Sequence, residues 1–340
     1  MQKIKVLVVD DSIVFRNLLV NGLNEDSKIE VVAQAGNAYA ARDAILKYHP
    51  DIMTLDIEMP GMNGIEFLKK LIPQYPIPVV MVSALDKKVF DAMAAGAIDF
   101  VYKPSAMDHK AIQEFIRKEL AVKVKIASTV TANKLKHQSS VKVNALSGVD
   151  SGERIIAIGA STGGTEAICE VLKQFGKDIP GVVVVQHMPP GFTKMYAQRL
   201  NEQCQVEVKE AETGDKVEAG KVLLAPGDRQ MRLIKINETY QVECRIGEKV
   251  NGHCPSVDVL FQSVARAAGN IAIGVILTGM GGDGAKGLLE MREAGACTIG
   301  QNESSCIIYG MPKIAYDIGA VQYQMDLSAV AGKIYGILNK

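Results

Sequence analysis

The chain has no tryptophan, and aromatic residues make up only 5% of its 340 positions, which argues against a carbohydrate-stacking surface. It has no excess charge of either sign. With 38 basic residues against 38 acidic ones, the electrostatic footprint of a nucleic-acid binder is missing. It has no CxxC pair: Cys169, Cys204, Cys244, Cys254, Cys297 and Cys306 all fall singly in the second half. A zinc site or a secreted disulfide scaffold needs paired spacings, so reduced, buried thiols in a cytoplasmic protein are expected. It also lacks a basic, apolar leader with a cleavage site, and any apolar run near the ~20 residues of a membrane span. No direct membrane insertion is expected. What is present is apolar material: 48% of the residues, enough for two buried cores on a length that allows about two domains.

The first third alternates strand and helix. Short Val-, Ile- and Leu-rich runs at Lys3–Val9, Glu30–Ala35, Asp51–Asp56, Pro78–Ser83 and Ile98–Tyr102 read as parallel strands buried on both faces. Between them, Phe15, Leu18, Leu19 and Leu23 share one helical face, and so do Ile112, Phe115, Ile116 and Leu120. Five such units predict a doubly wound, flavodoxin-like α/β domain over residues 1–125. The polar, aperiodic stretch that follows predicts a linker over 126–151. Alternation then restarts, with strands at Arg154–Gly159, Val182–Gln186 and Ile271–Leu277 and a helix opening at Pro255. Residues 152–340 are therefore read as a second α/β domain with a parallel sheet. Shorter strands between Val206 and Ile246 are expected as an antiparallel insertion or edge.

In an open parallel sheet, chemistry gathers beyond the carboxyl ends of the strands. In the first domain Asp10 and Asp11 follow the first strand, Asp56 ends the third, Ser83 the fourth, and Lys103 follows the fifth. Three acids at one edge repel unless a cation neutralises them, and Mg²⁺ with its oxygen preference suits Asp10, Asp11 and Asp56. A carboxylate can also accept a phosphoryl group as an acyl phosphate. Each aspartate alone could be a turn residue or helix cap; the joint pattern is far more specific. With VLVVDDS at Val6–Ser12, LDIEMPGMNG at Leu55–Gly64, VSAL at Val82–Leu85 and KPS at Lys103–Ser105, the first domain resembles the receiver domain of bacterial response regulators. The resemblance implies that Asp56 is the phosphoacceptor, Asp10 and Asp11 further metal ligands, Ser83 the switch hydroxyl and Lys103 the phosphate partner.

In the second domain Ser161 lies in the glycine turn Gly159–Gly164, after one strand and before a helix, fitting G-x-S-x-G. Amides at Thr162 and Gly163 open the helix and could receive an oxyanion. His187 ends the next strand, and Asp283 lies in the turn Gly279–Gly284 after a third. Each could be structural alone: a helix cap, a strand-end histidine, a turn former. Together they are the three groups an activated serine needs: nucleophile, imidazole base and orienting carboxylate.

With IGASTGG at Ile158–Gly164, VVQHMPPGFT at Val184–Thr193, LAPGDRQM at Leu224–Met231, PSVDVLF at Pro255–Phe261 and GVILTGMGGDGA at Gly274–Ala285, the whole chain resembles the chemotaxis protein-glutamate methylesterases. The resemblance implies a phosphorylation-activated hydrolase that removes methyl esters from receptor glutamates and deamidates selected glutamines. Ser161, His187 and Asp283 would be the triad, and the backbone at Thr162 and Met280 the oxyanion region. Methyl-accepting chemoreceptors would be the substrate and a chemotaxis histidine kinase the phosphodonor; the catalytic domain would need no cofactor. Gln230, where a histidine often follows GDR, and Cys254, where an arginine often precedes PSVD, depart from the pattern and leave the receptor-facing surface open. Two other classes fit the sequence less well. A nucleotide binder would use the glycine turns, but neither G-x-G-x-x-G nor a P-loop lysine is present. A DNA-binding regulator would need a basic terminal helix, whereas Asp317–Lys340 is mostly apolar and mixed in charge.

Overall fold

The structure is a computed structural model that describes residues 3–84, 87–104, 109–131, 134 and 154–339. It divides into two compact units, residues 1–139 and 140–340. Most of the expected linker, along with Leu85 and Ser105 of the quoted motifs, lies outside the described residues.

The first unit is a five-stranded parallel sheet of order β2-β1-β3-β4-β5, the flavodoxin-like order. Its strands are β1 (Ile4–Val9), β2 (Ile29–Ala35), β3 (Ile52–Asp56), β4 (Val79–Ser83) and β5 (Asp99–Tyr102). Helices α1 (Ile13–Asn24), α2 (Ala38–Tyr48), α3 (Gly64–Leu71) and α4 (Lys88–Ala94) connect them. After β5, α5 (His109–Phe115) passes through a π turn at Ile116–Leu120 into α6 (Ala121–Ala127), which ends inside the stretch expected as linker. Every residue of β3 and β4 is buried, which explains why these strands read as unbroken apolar runs. Polar caps set the helix starts: Ser12 accepts from the Phe15 amide, Asn37 from Ala40 and Asn63 from Glu66. Ser12 and Asn63 thereby end the loops that carry Asp10, Asp11 and Asp56.

Gly64, at the start of α3, has no room for a side chain. A Cβ there would lie 2.1 Å from the Asp56 carbonyl oxygen, a backbone atom that cannot swing away. Gly64→Ala should therefore cost about 1–3 kcal/mol or more through overpacking, read as a lower urea midpoint for the transition of the first unit.

The second unit is a seven-stranded parallel sheet of order β14-β13-β12-β6-β7-β9-β8. Its strands are β6 (Ile155–Ala160), β7 (Gly181–Gln186), β8 (Glu207–Glu210), β9 (Lys221–Leu224), β12 (Ala272–Ile276), β13 (Cys297–Gln301) and β14 (Tyr323–Met325). A separate antiparallel hairpin joins β10 (Gln230–Ile236) to β11 (Thr239–Arg245). The helices are α7 (Gly164–Leu172), α8 (Phe192–Gln203), α9 (Val257–Ala268), α10 (Ala285–Glu293), α11 (Met311–Asp317) and α12 (Leu327–Leu338). The antiparallel insertion expected between Val206 and Ile246 is thus only half right. β10 and β11 form it, but β8 and β9 run parallel in the main sheet, where four-residue strands carry too little pattern to show their direction. The core joins β6, β7 and β12 to α9, α10 and the hairpin, with Ala157, Val183, Leu260, Phe261 and Ile276 fully buried. Among the described residues no helix is long and apolar enough to cross a membrane.

Candidate active site and acidic pocket

In the first unit, oxygens of Asp10, Asp11 and Asp56 all lie within 4.8 Å of one another. Asp10 and Asp56 are buried and Asp11 is exposed, so the cluster has a closed floor and an open mouth. Lys103 reaches into it, with Nζ 2.8 Å from Asp10 Oδ2 and 2.6 Å from Asp56 Oδ2. The Lys103 amide donates to the carbonyl of Ser83, which ends the neighbouring strand with its side chain buried. Burial pushes the Asp56 carboxyl up to about 6; Lys103 opposes the rise and the charge of Asp10 adds to it. One ammonium therefore does not fully offset the two buried carboxylates. A hard divalent cation coordinated by these oxygens would supply the missing charge, and the donor set fits Mg²⁺.

In the second unit the candidate residues stand at the carboxyl ends of three adjacent strands, β12, β6 and β7. Ser161 follows β6 in a turn closed by the Gly164 amide on its carbonyl, at 2.7 Å. Gly163 makes this turn possible, because its φ of +78° is left-handed and a Cβ there would come 2.8 Å from Ile307 Cβ. The turn is anchored through Thr278, whose carbonyl accepts from the Ser161 amide at 3.0 Å and whose hydroxyl donates to the Thr162 carbonyl at 3.0 Å. Gln186 adds a third tether, its Nε2 2.9 Å from the Ser161 carbonyl.

His187 and Asp283 are joined directly, Nε2 to Oδ2 at 2.8 Å. Five donors converge on that carboxylate. His187 Nε2 and the Val257 amide meet Oδ2, while Asn251 Nδ2, Ser256 Oγ and the Asp258 amide meet Oδ1. Burial opposes the charge of Asp283, but the His187, Asn251 and Ser256 contacts outweigh it and hold the carboxyl well below the usual range. An ionised Asp283 can only accept, so the imidazole proton must sit on Nε2, leaving the Nδ1 lone pair available. Nδ1 is buried and has no hydrogen-bond partner among the described residues. The other face of the ring is stacked on His253, centroids 3.6 Å apart and planes at 9°.

The structure thus brings together two of the three expected groups by hydrogen bond. Ser161 stands on the adjacent strand end, but no hydrogen bond joins its hydroxyl to His187 among the described residues. Such contacts are often loose without substrate. Nearby, the Met280 amide donates no hydrogen bond among the described residues, and the Met280 side chain is exposed. A cavity of about 290 Å³ opens beside Asp283, lined in part by Asn251, His253, Lys286 and Ile314.

Several contributors escaped the sequence reading: Asn251, His253, Ser256, Asp258 and Thr278. Ser256 and Asp258 lay in the quoted PSVD segment, yet nothing in it foretold that both would serve Asp283. Asn251 also donates to Asp258 Oδ2 at 2.7 Å, so one amide links two buried carboxylates. Gln230, whose effect the sequence leaves open, is buried, donating to the Glu248 and His253 carbonyls and accepting from the Ser256 amide. It fastens the loop that carries Asn251, His253 and Ser256.

A family model described as CheB methylesterase matches residues 156–334, and one described as response regulator receiver domain matches residues 6–117. The protein-glutamate methylesterase/protein-glutamine glutaminase 2 of Syntrophomonas wolfei is 56% identical over all of this chain and 99% of its own length. The protein-glutamate methylesterase/protein-glutamine glutaminase of Escherichia coli K12 is 48% identical over 97% of this chain and 96% of its own. Among solved structures, the Thermotoga maritima CheB methylesterase catalytic domain superposes with a TM-score of 0.54 at 36% identity, covering 55% of this chain and 99% of that one.

Proposed function

This chain belongs to the CheB methylesterase family and is a protein-glutamate methylesterase/protein-glutamine glutaminase with a receiver domain; we propose that it works through Ser161, His187 and Asp283 under control of phosphorylation at Asp56. The observation that carries the catalytic reading is the asymmetry of His187: Nε2 clamped to a saturated carboxylate, Nδ1 buried and unpartnered.

Ser161 Oγ attacks the carbonyl carbon of a glutamate methyl ester while its proton passes to His187 Nδ1. Negative charge on the former carbonyl oxygen is met by the Met280 amide and the turn amides at Thr162 and Gly163. Collapse breaks the C–O bond, and the leaving methoxide takes the His187 proton to depart as methanol. Water then attacks the acyl-serine with the same imidazole as base, freeing the glutamate carboxylate and restoring Ser161. With glutamine the same steps release ammonia. Asp283 stays ionised throughout and stabilises the imidazolium. Methanol release from methylated chemoreceptor in membranes tests the activity; its absence with well-folded enzyme overturns the reading.

In the receiver, Asp56 Oδ attacks the phosphorus of a phosphohistidine on a donor such as a chemotaxis histidine kinase; the O–P bond forms, the P–N bond breaks, and the donor imidazole leaves, taking a proton from solvent. Asp10, Asp11 and Asp56 would hold Mg²⁺, which when bound would supply charge neutralisation at this site. Lys103 pairs with the phosphoryl oxygens, and the Ser83 hydroxyl turns toward them. The chemistry takes place in the cytoplasm, where the cysteines remain thiols. Asp56→Asn should leave basal methanol release unchanged but abolish its stimulation by a small phosphodonor. A variant that is still stimulated would place the phosphoacceptor elsewhere. Asp11→Asn, at the exposed lip of the cluster, should weaken Mg²⁺ binding at least tenfold by calorimetry, whereas unchanged binding would remove Asp11 from the metal set.

A further inference from the structure

The plane of the His187 ring decides where its Nδ1 lone pair points. The torsion that turns a histidine ring is broad and roughly two-fold, so the side chain does not set that plane by itself. The bond from Nε2 to Asp283 pins one atom of the ring and leaves rotation about that atom open. A second contact removes this freedom. His253 lies flat on His187, centroids 3.6 Å apart and planes at 9°. His253 is in turn held through its backbone. Val250-Asn251-Gly252-His253 is a two-residue turn with φ of +53° at Asn251 and +85° at Gly252, the type I′ pattern that Asn-Gly favours. Its ends exchange amide–carbonyl bonds of 2.9 and 3.0 Å, and Gln230 Nε2 donates to the His253 carbonyl at 3.2 Å. The same turn presents Asn251 to Asp283. One short turn thus grips the carboxylate with its second residue and the imidazole with its last.

We propose that His253 is a positioning residue for the hydrolysis: its flat face holds the plane of the His187 ring, so that Nδ1 stays aimed at the Ser161 hydroxyl. The inference rests on the triad reading given above. His253 acts through His187 and takes no part in the proton transfer. A reacting geometry that slips by about 1 Å can cost 10²-fold in rate, so loss of the stacked ring should fall on kcat. Because His253 also lines the cavity beside Asp283, a direct contact with substrate is the competing role, and that role would show in KM.

Three variants of the full chain separate a flat face from mere bulk: His253→Ala, His253→Leu and His253→Phe. Each is assayed for methanol release over a range of methylated receptor concentrations, alongside a urea unfolding curve. His253→Ala should lower kcat by roughly 10–100-fold with KM within about twofold of wild type. His253→Leu fills the space without a flat face and should stay as slow. His253→Phe is flat but has no ring nitrogen, and should return kcat to within about threefold of wild type. The turn is held through backbone, so all three should fold; if His253→Ala does not, the leucine and phenylalanine pair decides alone. Wild-type kcat in folded His253→Ala overturns the proposal. So does a leucine variant as fast as the phenylalanine one, a phenylalanine variant as slow as the leucine one, or a loss confined to KM. Ser161→Ala in the same assay keeps the two readings apart. If it stays active the triad reading fails, whereas its inactivity beside an unimpaired His253→Leu overturns the stacking proposal alone.

Discussion

Ser161→Ala should lower methanol release by about 10⁴–10⁶ while leaving the protein folded. The size follows from what the hydroxyl does in the proposed route. Without it no acyl-enzyme forms, and His187 can act only on water held in a site shaped for a serine attack. The residual rate is then what the oxyanion amides and binding supply. Retention of the fold follows from how the turn is built. The serine backbone does the structural work, donating to Thr278 and accepting from Gly164 and Gln186, whereas Oγ makes no hydrogen bond among the described residues. Removing one half-buried oxygen with no partner should shift stability by no more than about 0.5 kcal/mol. The measurement is methanol release alongside a urea unfolding curve. A variant with unchanged midpoint and a tenth of normal activity would exclude Ser161 as the nucleophile.

The parts of this molecule visible in the sequence are those written in local pattern. β3 and β4 announced themselves because strands covered on both faces must be apolar at every position. The strand-end residues followed, since a parallel sheet gathers its chemistry at one edge: Asp10, Asp56 and Lys103 meet there, and so do His187 and Asp283. What stayed hidden depends on chain crossing over chain. The loop at Val250–His253 closes on itself with a pair of backbone hydrogen bonds and lays Asn251 on Asp283 and His253 on His187. Asn251 adopts a φ of +53° in that loop, a conformation that asparagine tolerates, but so do many surface turns. Gln230 illustrates the same limit. The segment GDRQM leaves its effect open, and only the fold shows its amide buried, donating to two backbone carbonyls and accepting from a backbone amide. β8 and β9 show it for the sheet: their parallel direction is set by β7, a neighbour far away in sequence.

Asp283→Asn should lower kcat/KM by about 10⁴, and, unlike Ser161→Ala, it should also lower stability. Both consequences come from the five donors on the carboxylate. An amide offers one oxygen and one NH₂ where the site needs two acceptors. With the NH₂ in the Oδ2 position, it faces His187 Nε2 and the Val257 amide. The imidazole can respond by exchanging tautomers, so that Nε2 accepts and the proton moves to Nδ1. That consumes the lone pair the serine proton must reach. The Val257 amide has no such freedom and is left facing another donor. With the NH₂ in the Oδ1 position, the tautomer survives, but Asn251 Nδ2 and the Asp258 amide face a donor instead. If Asn251 turns its amide over, it presents its oxygen to Asp258 Oδ2, two acceptors in contact. Either orientation strands a buried group, at about 1–3 kcal/mol, and either also removes the charge that stabilises the imidazolium. Because Asp283 is held far below the usual carboxylate range, the wild-type residue stays ionised across any practical assay pH, and its stabilising contacts fail only in strong acid. The asparagine variant should therefore stay slow at every pH tested, with a urea midpoint below wild type. Recovery of wild-type rate at any pH by folded Asp283→Asn enzyme would show that orientation of His187 does not depend on this carboxylate.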